Sequence, residues 1–309
     1  MIVRTVLMAT ARAVLVLLVV SLTVFVATDL LPSDAALART SGRAGAEQLA
    51  ALRVELGLDR PVWRRYLSWL GGLLGGDGGV SLVTGRPVTD LVGRRLPATL
   101  ALTGSALVLM VPLTLLLAWL VGRRPACSGA LVGVAAVPQV VFAAGLVTVF
   151  AGLLRWLPPV SLLPAGATPL DRPHLLVLPA LSLALPIAAF GAGLLGGAVS
   201  DVLRRPHVSD AVLRGVPGWR VATRHVLPFL LAPAVRVLAI GLGALLAGAA
   251  VIETMFGYAG LGELLVSSVA TRDVPVVAAV AMLAAAVVVA GLALADVVAT
   301  LTDPYRRRR

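Results

Sequence analysis

The apolar positions of this chain gather into six long runs, at about Val6 to Leu31, Leu96 to Val121, Leu131 to Leu154, Leu175 to Val202, Phe229 to Ile252 and Val274 to Leu301. Each reaches the roughly 20 residues that an α-helix needs to cross the hydrocarbon of a bilayer. The runs are apolar on every face rather than alternating, which argues for spanning helices and against the strands of a barrel. The pattern predicts an all-α, polytopic membrane protein with six transmembrane helices. Between the first two runs lies the longest polar stretch, residues 32 to 95. Within it, apolar residues recur at three- and four-residue spacing over Glu47 to Leu58 and Val62 to Leu73, followed by the Gly-rich turn Gly75-Gly76-Asp77-Gly78-Gly79. That spacing predicts a small helical element.

Composition supports the membrane reading. Hydrophobic residues make up 59% of the 309 and charged residues 13%, with a mean hydropathy of +0.98, against about 45–50% and 25% in soluble domains. Arg4 and Arg12 ahead of the apolar stretch Ala13 to Ala27 have the look of a secretory signal peptide. The stretch exceeds the usual signal core, and Val26-Ala27-Thr28 is a poor cleavage site, so a retained first span is expected.

The net charge of +11 comes from arginines at span ends and in loops, a distribution that reports topology rather than nucleic-acid binding. Arg4, Arg12, Arg123, Arg124, Arg204, Arg205, Arg214, Arg220, Arg224 and Arg306 to Arg309 fall in segments that positive-inside reasoning places in the cytoplasm, with both termini. The opposite short loops hold Arg155 and Arg172 in one and Arg272 in the other. Residues 32 to 95 carry nine arginines against six acids. Loops of about that length translocate largely regardless of charge, so this segment is expected to form an extracytoplasmic cap.

Candidate chemistry is sparse. Cys127 stands alone, and His174, His207 and His225 lack ligand spacing, so neither a metal site nor a catalytic centre is expected. All 26 basic residues are arginines. A Walker A loop needs a lysine on the nucleotide phosphates, so no nucleotide-binding engine is expected within this chain.

The most informative polar segment joins runs four and five, about residues 201 to 228. A short helix can run to Arg214, Gly215, Pro217 and Gly218 break it, and a second helix starts near Trp219. Read alone it is either an Arg-rich loop or a docking element. Ala211-x3-Gly215-x9-His225-x-Leu227-Pro228 resembles the second half of the EAA loop of ABC-importer permeases. Other stretches resemble permeases of the dipeptide, oligopeptide and nickel type. They are Ser81-Leu82-Val83-Thr84-Gly85-Arg86-Pro87-Val88, Arg95-Leu96-Pro97-Ala98-Thr99-Leu100, Leu178 to Pro186, Val251 to Gly262, Arg272-Asp273-Val274-Pro275-Val276-Val277, and Asp296 with Asp303-Pro304.

The resemblance spans nearly the whole chain and implies a type I permease fold. The chain would divide into residues 1–95, first helix plus cap, and residues 96–309, a five-helix core with its coupling loop. Implied partners are a homologous second permease, two cytoplasmic ABC ATPases that bind ATP and Mg, and an extracytoplasmic solute-binding protein. No cofactor is implied in this chain. The resemblance implies a di- or oligopeptide as the expected cargo, with nickel or another small solute as the alternative. In the family the loop docks into a groove of the ATPase, which on this chain points to Ala211, Arg214, Gly215, Pro217, Gly218, His225, Leu227 and Pro228. Glu253, Phe256, Gly257, Gly260 and Gly262, where run five ends, form either an interfacial loop or part of an outer gate.

Departures from the family pattern accompany this. Pro32-Ser33-Asp34-Ala35 replaces P-G-D-P, Ser209 and Asp210 stand at the first EAA positions, and Pro206-His207 replaces a D-Y pair. Gly193 and Gly196 stand where basic residues are expected, and with Gly191 and Gly197 they serve either close helix packing or the pathway. Arg236 either snorkels to the interface or faces the pathway. A transporter driven by an ion gradient would place ionisable residues at the midplane, whereas Asp29, Arg236 and Asp296 lie near span ends.

Overall fold

The computed structural model describes residues 2–30, 35–40, 43–162 and 169–302. In chain order the helices are α1 Ile2–Asp29, α2 Ala35–Arg39, α3 Ala46–Glu55, α4 Val62–Leu74, α5 Val88–Arg123, α6 Ser128–Ala136 and α7 Gln139–Leu146. There follow α8 His174–Leu203, α9 Pro206–Leu213, α10 Gly218–Arg220, α11 Leu227–Phe256, α12 Leu261–Thr271 and α13 Val274–Thr302. Among the described residues there is no strand, only an isolated bridge between Val80 and Pro87. The fold is all-α and polytopic, as the apolar runs predict. The expected P-G-D-P position, Asp303-Pro304 and the arginine tail lie outside the described residues, apart from Ala35.

Five helical segments are long and apolar enough to cross a membrane, and α6 with the run Gln139–Leu153 makes a sixth crossing if that bent pair is one span. The third apolar run is therefore not straight: its halves meet at 94°. Pro138 is the physical cause. A residue before proline is driven out of the α region, and Val137 sits at φ −69°, ψ 125°. The helix resumes at Gln139 and closes in a π-helical turn, Val147–Leu153.

The chain divides into two compact units, Met1–Leu100 with Gly257–Val287, and Ala101–Phe256 with Val288–Arg309. In the second unit α8 is the central helix. Burial covers 78% of its most apolar window, against 11% to 33% for the other four long segments, and it packs on α6, α7 and α11. Its glycines divide by face. A Cβ on Gly196 would fall 2.8 Å from Val121 Cγ1, and one on Gly191 3.1 Å from Thr114 Cγ2 and 3.2 Å from Val237 Cγ1. Gly193 and Gly197 are exposed with nothing within 4 Å of such an atom. Close packing thus accounts for Gly191 and Gly196, while Gly193 and Gly197 lie on an open face. Arg236 is exposed on the flank of α11.

In the first unit, α4 is clamped to α1. Phe25 meets Tyr66 edge-on with ring centres 5.5 Å apart, the Ser21 and Tyr66 hydroxyls lie 2.8 Å apart, and Phe25 with Trp69, Val274 and Ala278 forms a buried cluster. Two of the sequence motifs meet here. Asp273, 3% exposed, accepts the Ser81 hydroxyl and, at 3.0 Å, the Leu82 N–H. Ser81 Oγ in turn accepts the Thr84 N–H at 2.9 Å. Burial raises the Asp273 pKa above the ordinary 3.8, against the lowering pull of these hydrogen bonds.

Two outcomes follow for thermal unfolding in detergent. Gly196→Val lowers the midpoint, by an overpacking cost of about 1–3 kcal/mol, while Gly193→Ala, which meets open space, does not lower it. Asp273→Ala strands the Leu82 N–H and the Ser81 hydroxyl at a cost of about 1–3 kcal/mol. Because the folded-state pKa is raised, the carboxyl contributes most at acid pH. That contribution fades as pH climbs from the ordinary carboxyl value through the raised one. Asp273→Asn, neutral at every pH, flattens this part of the stability profile.

Candidate coupling element and gate segment

The turn between α8 and α11 is built by two prolines and one glycine. Pro206 forces Arg205 into extended backbone, ψ 142°, and then occupies the first helical position of α9, where a missing N–H costs nothing. The far end of α9 closes in a Schellman motif. Gly215 takes φ +72°, its N–H reaches the Val212 carbonyl at 2.9 Å, and the Val216 N–H reaches that of Ala211 at 3.1 Å. Pro217 then caps α10. The helix from Gly218 runs on to Phe256, and it holds a π-helical turn, Val221–Val226, just before Leu227-Pro228. Proline has no N–H for the i−4 carbonyl and its ring crowds that turn, and the wider turn precedes it.

Val208 and Ala211 on one side of α9 join a buried cluster with Val199 and Val202 of α8 and with Val221, Val226 and Leu230. His207 Nε2 lies 3.1 Å from the His225 carbonyl, and its ring centre is 4.9 Å from that of Phe229. His225 Nδ1 is buried and has no hydrogen-bond partner among the described residues. The opposite side of the element is open. Leu213 is 85% exposed and Trp219 65%, with Val212, Arg214, Arg220 and Arg224 also exposed. The Arg220 guanidinium lies 5.1 Å from the Trp219 ring centre. Beside this ridge is a groove of about 390 Å³, lined by Trp119, Arg123, Ser209, Val212 and Leu213 among others.

The sequence-predicted residues therefore separate. Ala211 is buried under the turn, Gly215 makes it, Pro217 and Gly218 start the next helix, and Arg214, Leu227 and Pro228 are exposed. His225 is half-buried behind them. Sequence reasoning missed the exposed ridge of Val212, Leu213 and Trp219 and the His207 contact. Its only signal was a pair of apolar residues directly before Arg214.

At the other end of α11 the helix continues through Glu253 and Phe256, and both are buried. The Ser161 N–H donates to the Phe256 carbonyl at 2.8 Å, and the Ser161 hydroxyl to the Leu175 carbonyl at 2.6 Å. Of the three glycines beyond, Gly257 alone takes left-handed backbone, φ +64°. Gly260 is extended and precedes α12, and Gly262 is buried in its first turn.

Within the first unit this segment is tied to the motif Arg95 to Thr99. The Tyr258 hydroxyl donates to the Ala98 carbonyl at 2.7 Å, the Leu261 N–H donates to Thr99 Oγ1 at 2.7 Å, and Arg95 pairs with Glu263. Tyr258, fully buried, and Thr99 are the residues that sequence reading did not single out individually.

Comparison with known proteins agrees with this architecture. Residues 128–308 match the family described as binding-protein-dependent transport system inner membrane component, and residues 2–103 match the N-terminal model of the same component. A protein of Brucella abortus (strain 2308), described as a peptide transport system permease, is 31% identical over 304 residues, 96% of each chain. A like-named protein of Brucella suis biovar 1 (strain 1330) is 31% identical over 301 residues, 95% of this chain and 96% of the relative. The glutathione transport system permease protein GsiC of Escherichia coli (strain K12) is 33% identical over 269 residues, 85% of each chain. With its spanning helices and matches along nearly its full length, this chain belongs to the family of binding-protein-dependent transport system inner membrane components, the permease subunits of ABC importers.

Proposed function

We propose that this permease moves a peptide inward across a bacterial inner membrane, driven by ATP hydrolysis in partner subunits. Peptide and glutathione transport in the names of the relatives supports the cargo class; nickel or another small solute is the alternative. Loop arginines support an orientation with both termini and residues 201–228 in the cytoplasm and residues 32–95 outside. On this reading residues 1–95 supply the first span and cap, and residues 96–309 the five-helix core. A homologous second permease completes the pathway, two ATPases hold ATP and Mg, and a solute-binding protein delivers cargo from outside. The chain itself performs no chemistry.

The observation that carries the reading is the exposed ridge on a rigid turn. Leu213 and Trp219 offer apolar area that a partner can cover, and Arg214, Arg220 and Arg224 offer charge for acidic groups. The ridge is held by backbone hydrogen bonds and by the buried Val208 and Ala211, which join it to α8 and to the helix leading into α11. A push on the ridge is thereby delivered to two spanning helices. Glu253, Phe256, Gly257, Gly260 and Gly262 would form part of the outer gate, at the opposite end of α11.

Coexpression with ABC ATPases of the same transport system tests this. The parent chain copurifies with them, and peptide uptake in vesicles requires ATP and survives an uncoupler. Open space surrounds a Cβ at Gly215, so a substitution there acts through backbone conformation alone. Left-handed backbone costs an L-residue about 1–2 kcal/mol, and more for a β-branched one. Gly215→Val therefore loses about ten-fold in ATPase-coupled uptake at normal expression, and Gly215→Asn, which tolerates this region, keeps most of it. Wild-type coupling in Gly215→Val would show that the turn does not transmit the ATPase stroke.

A further inference from the structure

The corner between α8 and α9 makes contacts with the start of α11 that an exposed docking ridge does not require. The His225 carbonyl belongs to the π-helical turn Val221–Val226, and the side chain of His207, 18 positions earlier, reaches it at 3.1 Å. A carbonyl only accepts, so Nε2 of His207 carries the hydrogen and donates it. The His207 ring also packs near Phe229, with ring centres 4.9 Å apart and planes at 40°. The Arg205 guanidinium lies 5.2 Å from the centre of that same Phe229 ring. Two residues of one corner, both half-buried, thus hold a backbone carbonyl before Pro228 and the first side chain beyond it.

They grip the helix where its hydrogen-bond ladder is interrupted. Pro228 has no N–H to give the Arg224 carbonyl, and the Leu227 N–H bonds to the Ala222 carbonyl, five residues back instead of four. Turns of this kind gather at functional positions, because a change in the pitch of one turn reorients all of the helix beyond it. Val208 and Ala211 pack on the same region through apolar contacts. Such contacts are non-directional: they keep α9 against the helix without fixing its rotation. A hydrogen bond is directional and selects one carbonyl. Nδ1 of His225 is buried without a partner among the described residues, so on this residue the carbonyl carries the tie.

Given the transport reading, in which a partner drives the exposed ridge, we infer that His207 is a positioning residue for that stroke. Its bond to the His225 carbonyl and its contact with Phe229 make α11 move with α9. Leu213 and Trp219 receive the partner, and His207 with Arg205 passes the displacement to the π-helical turn. Without the tie, α9 slides over the apolar cluster and α11 stays behind.

The test uses the whole transporter, this chain with its second permease and its ATPases, reconstituted in nanodiscs. Hydrogen exchange at α9 and at residues 229–232 is compared before and after trapping with ATP and vanadate. In the parent, exchange changes at both places. His207→Phe keeps a ring beside Phe229 but removes the donor. Its α9 responds as in the parent, while the change at residues 229–232 shrinks about five-fold, the equilibrium weight of one hydrogen bond. His207→Gln, whose amide N–H replaces the lost donor, restores most of that change. ATPase capture and the gel-filtration profile stay at parent level, a combination that misfolding would not give. Phe229→Leu, which removes the ring contacts alone, shows the same split to a smaller degree and reads out the tie if His207→Phe does not assemble. An unchanged response at residues 229–232 in His207→Phe overturns the inference. Loss of ATPase capture in that variant overturns it as well, by making His207 part of the dock. Failure of His207→Gln to restore the response overturns the role of the bond and assigns the effect to ring packing. No change at α9 in the parent would overturn the docking reading itself, and the tie with it.

Discussion

Within a bilayer core there is no water to accept a freed N–H or C=O, so a chain this apolar can leave the helix only where another of its own groups takes up the bonds. The buried helix ends meet the same demand, since a buried N–H or C=O without a partner is costly wherever it lies. Asp273 takes the Leu82 N–H, Thr99 takes the Leu261 N–H, and the Phe256 carbonyl is met by the Ser161 N–H. These bonds fix the ends of α5, α11, α12 and α13. The functional segments are defined by those ends.

Helix termination uses one device repeatedly. The Schellman closure at Gly215 recurs after α3 at Gly57 and after α4 at Gly76, each with positive φ and the same pair of backbone bonds. It recurs after α12 with Arg272 at φ +56° in place of glycine. There the next residue is Asp273, whose side chain holds the Ser81 loop, so the strained arginine and the buried carboxyl form one corner. At Gly215 the same geometry leaves an apolar ridge exposed. A closure that is merely structural at three helix ends becomes the proposed point of contact with a partner at the fourth.

Small residues set how closely the central helices approach. Gly122 meets Val199, Gly196 meets Val121 and Gly241 meets Met110, each at a distance that leaves no room for an added Cβ without movement. Without a hydrophobic drive between helices in lipid, such contacts supply much of the association. The buried cluster that carries α9 shares α8 with these contacts. A displacement of α9 therefore acts on the packed centre of the second unit rather than on a loose loop.

The sequence by itself determined the class of molecule, the positions of the spanning runs, the helix–turn–helix at residues 201–228 and the family. Each rests on local physics: twenty apolar residues require lipid, and Gly, Pro and their neighbours restrict backbone wherever they stand. Pro138 was equally legible, but its run read as one span, because hydropathy counts residues and is blind to direction. Only the tertiary structure decided that Asp273 belongs with Ser81 and Arg95 with Glu263, since such partners are more than 160 positions apart. It also decided which glycines of α8 are packed and which are open, and that Leu213 and Trp219 face outward. Composition cannot order those choices, because the same residue type serves both faces and its neighbour across the gap is set by the fold.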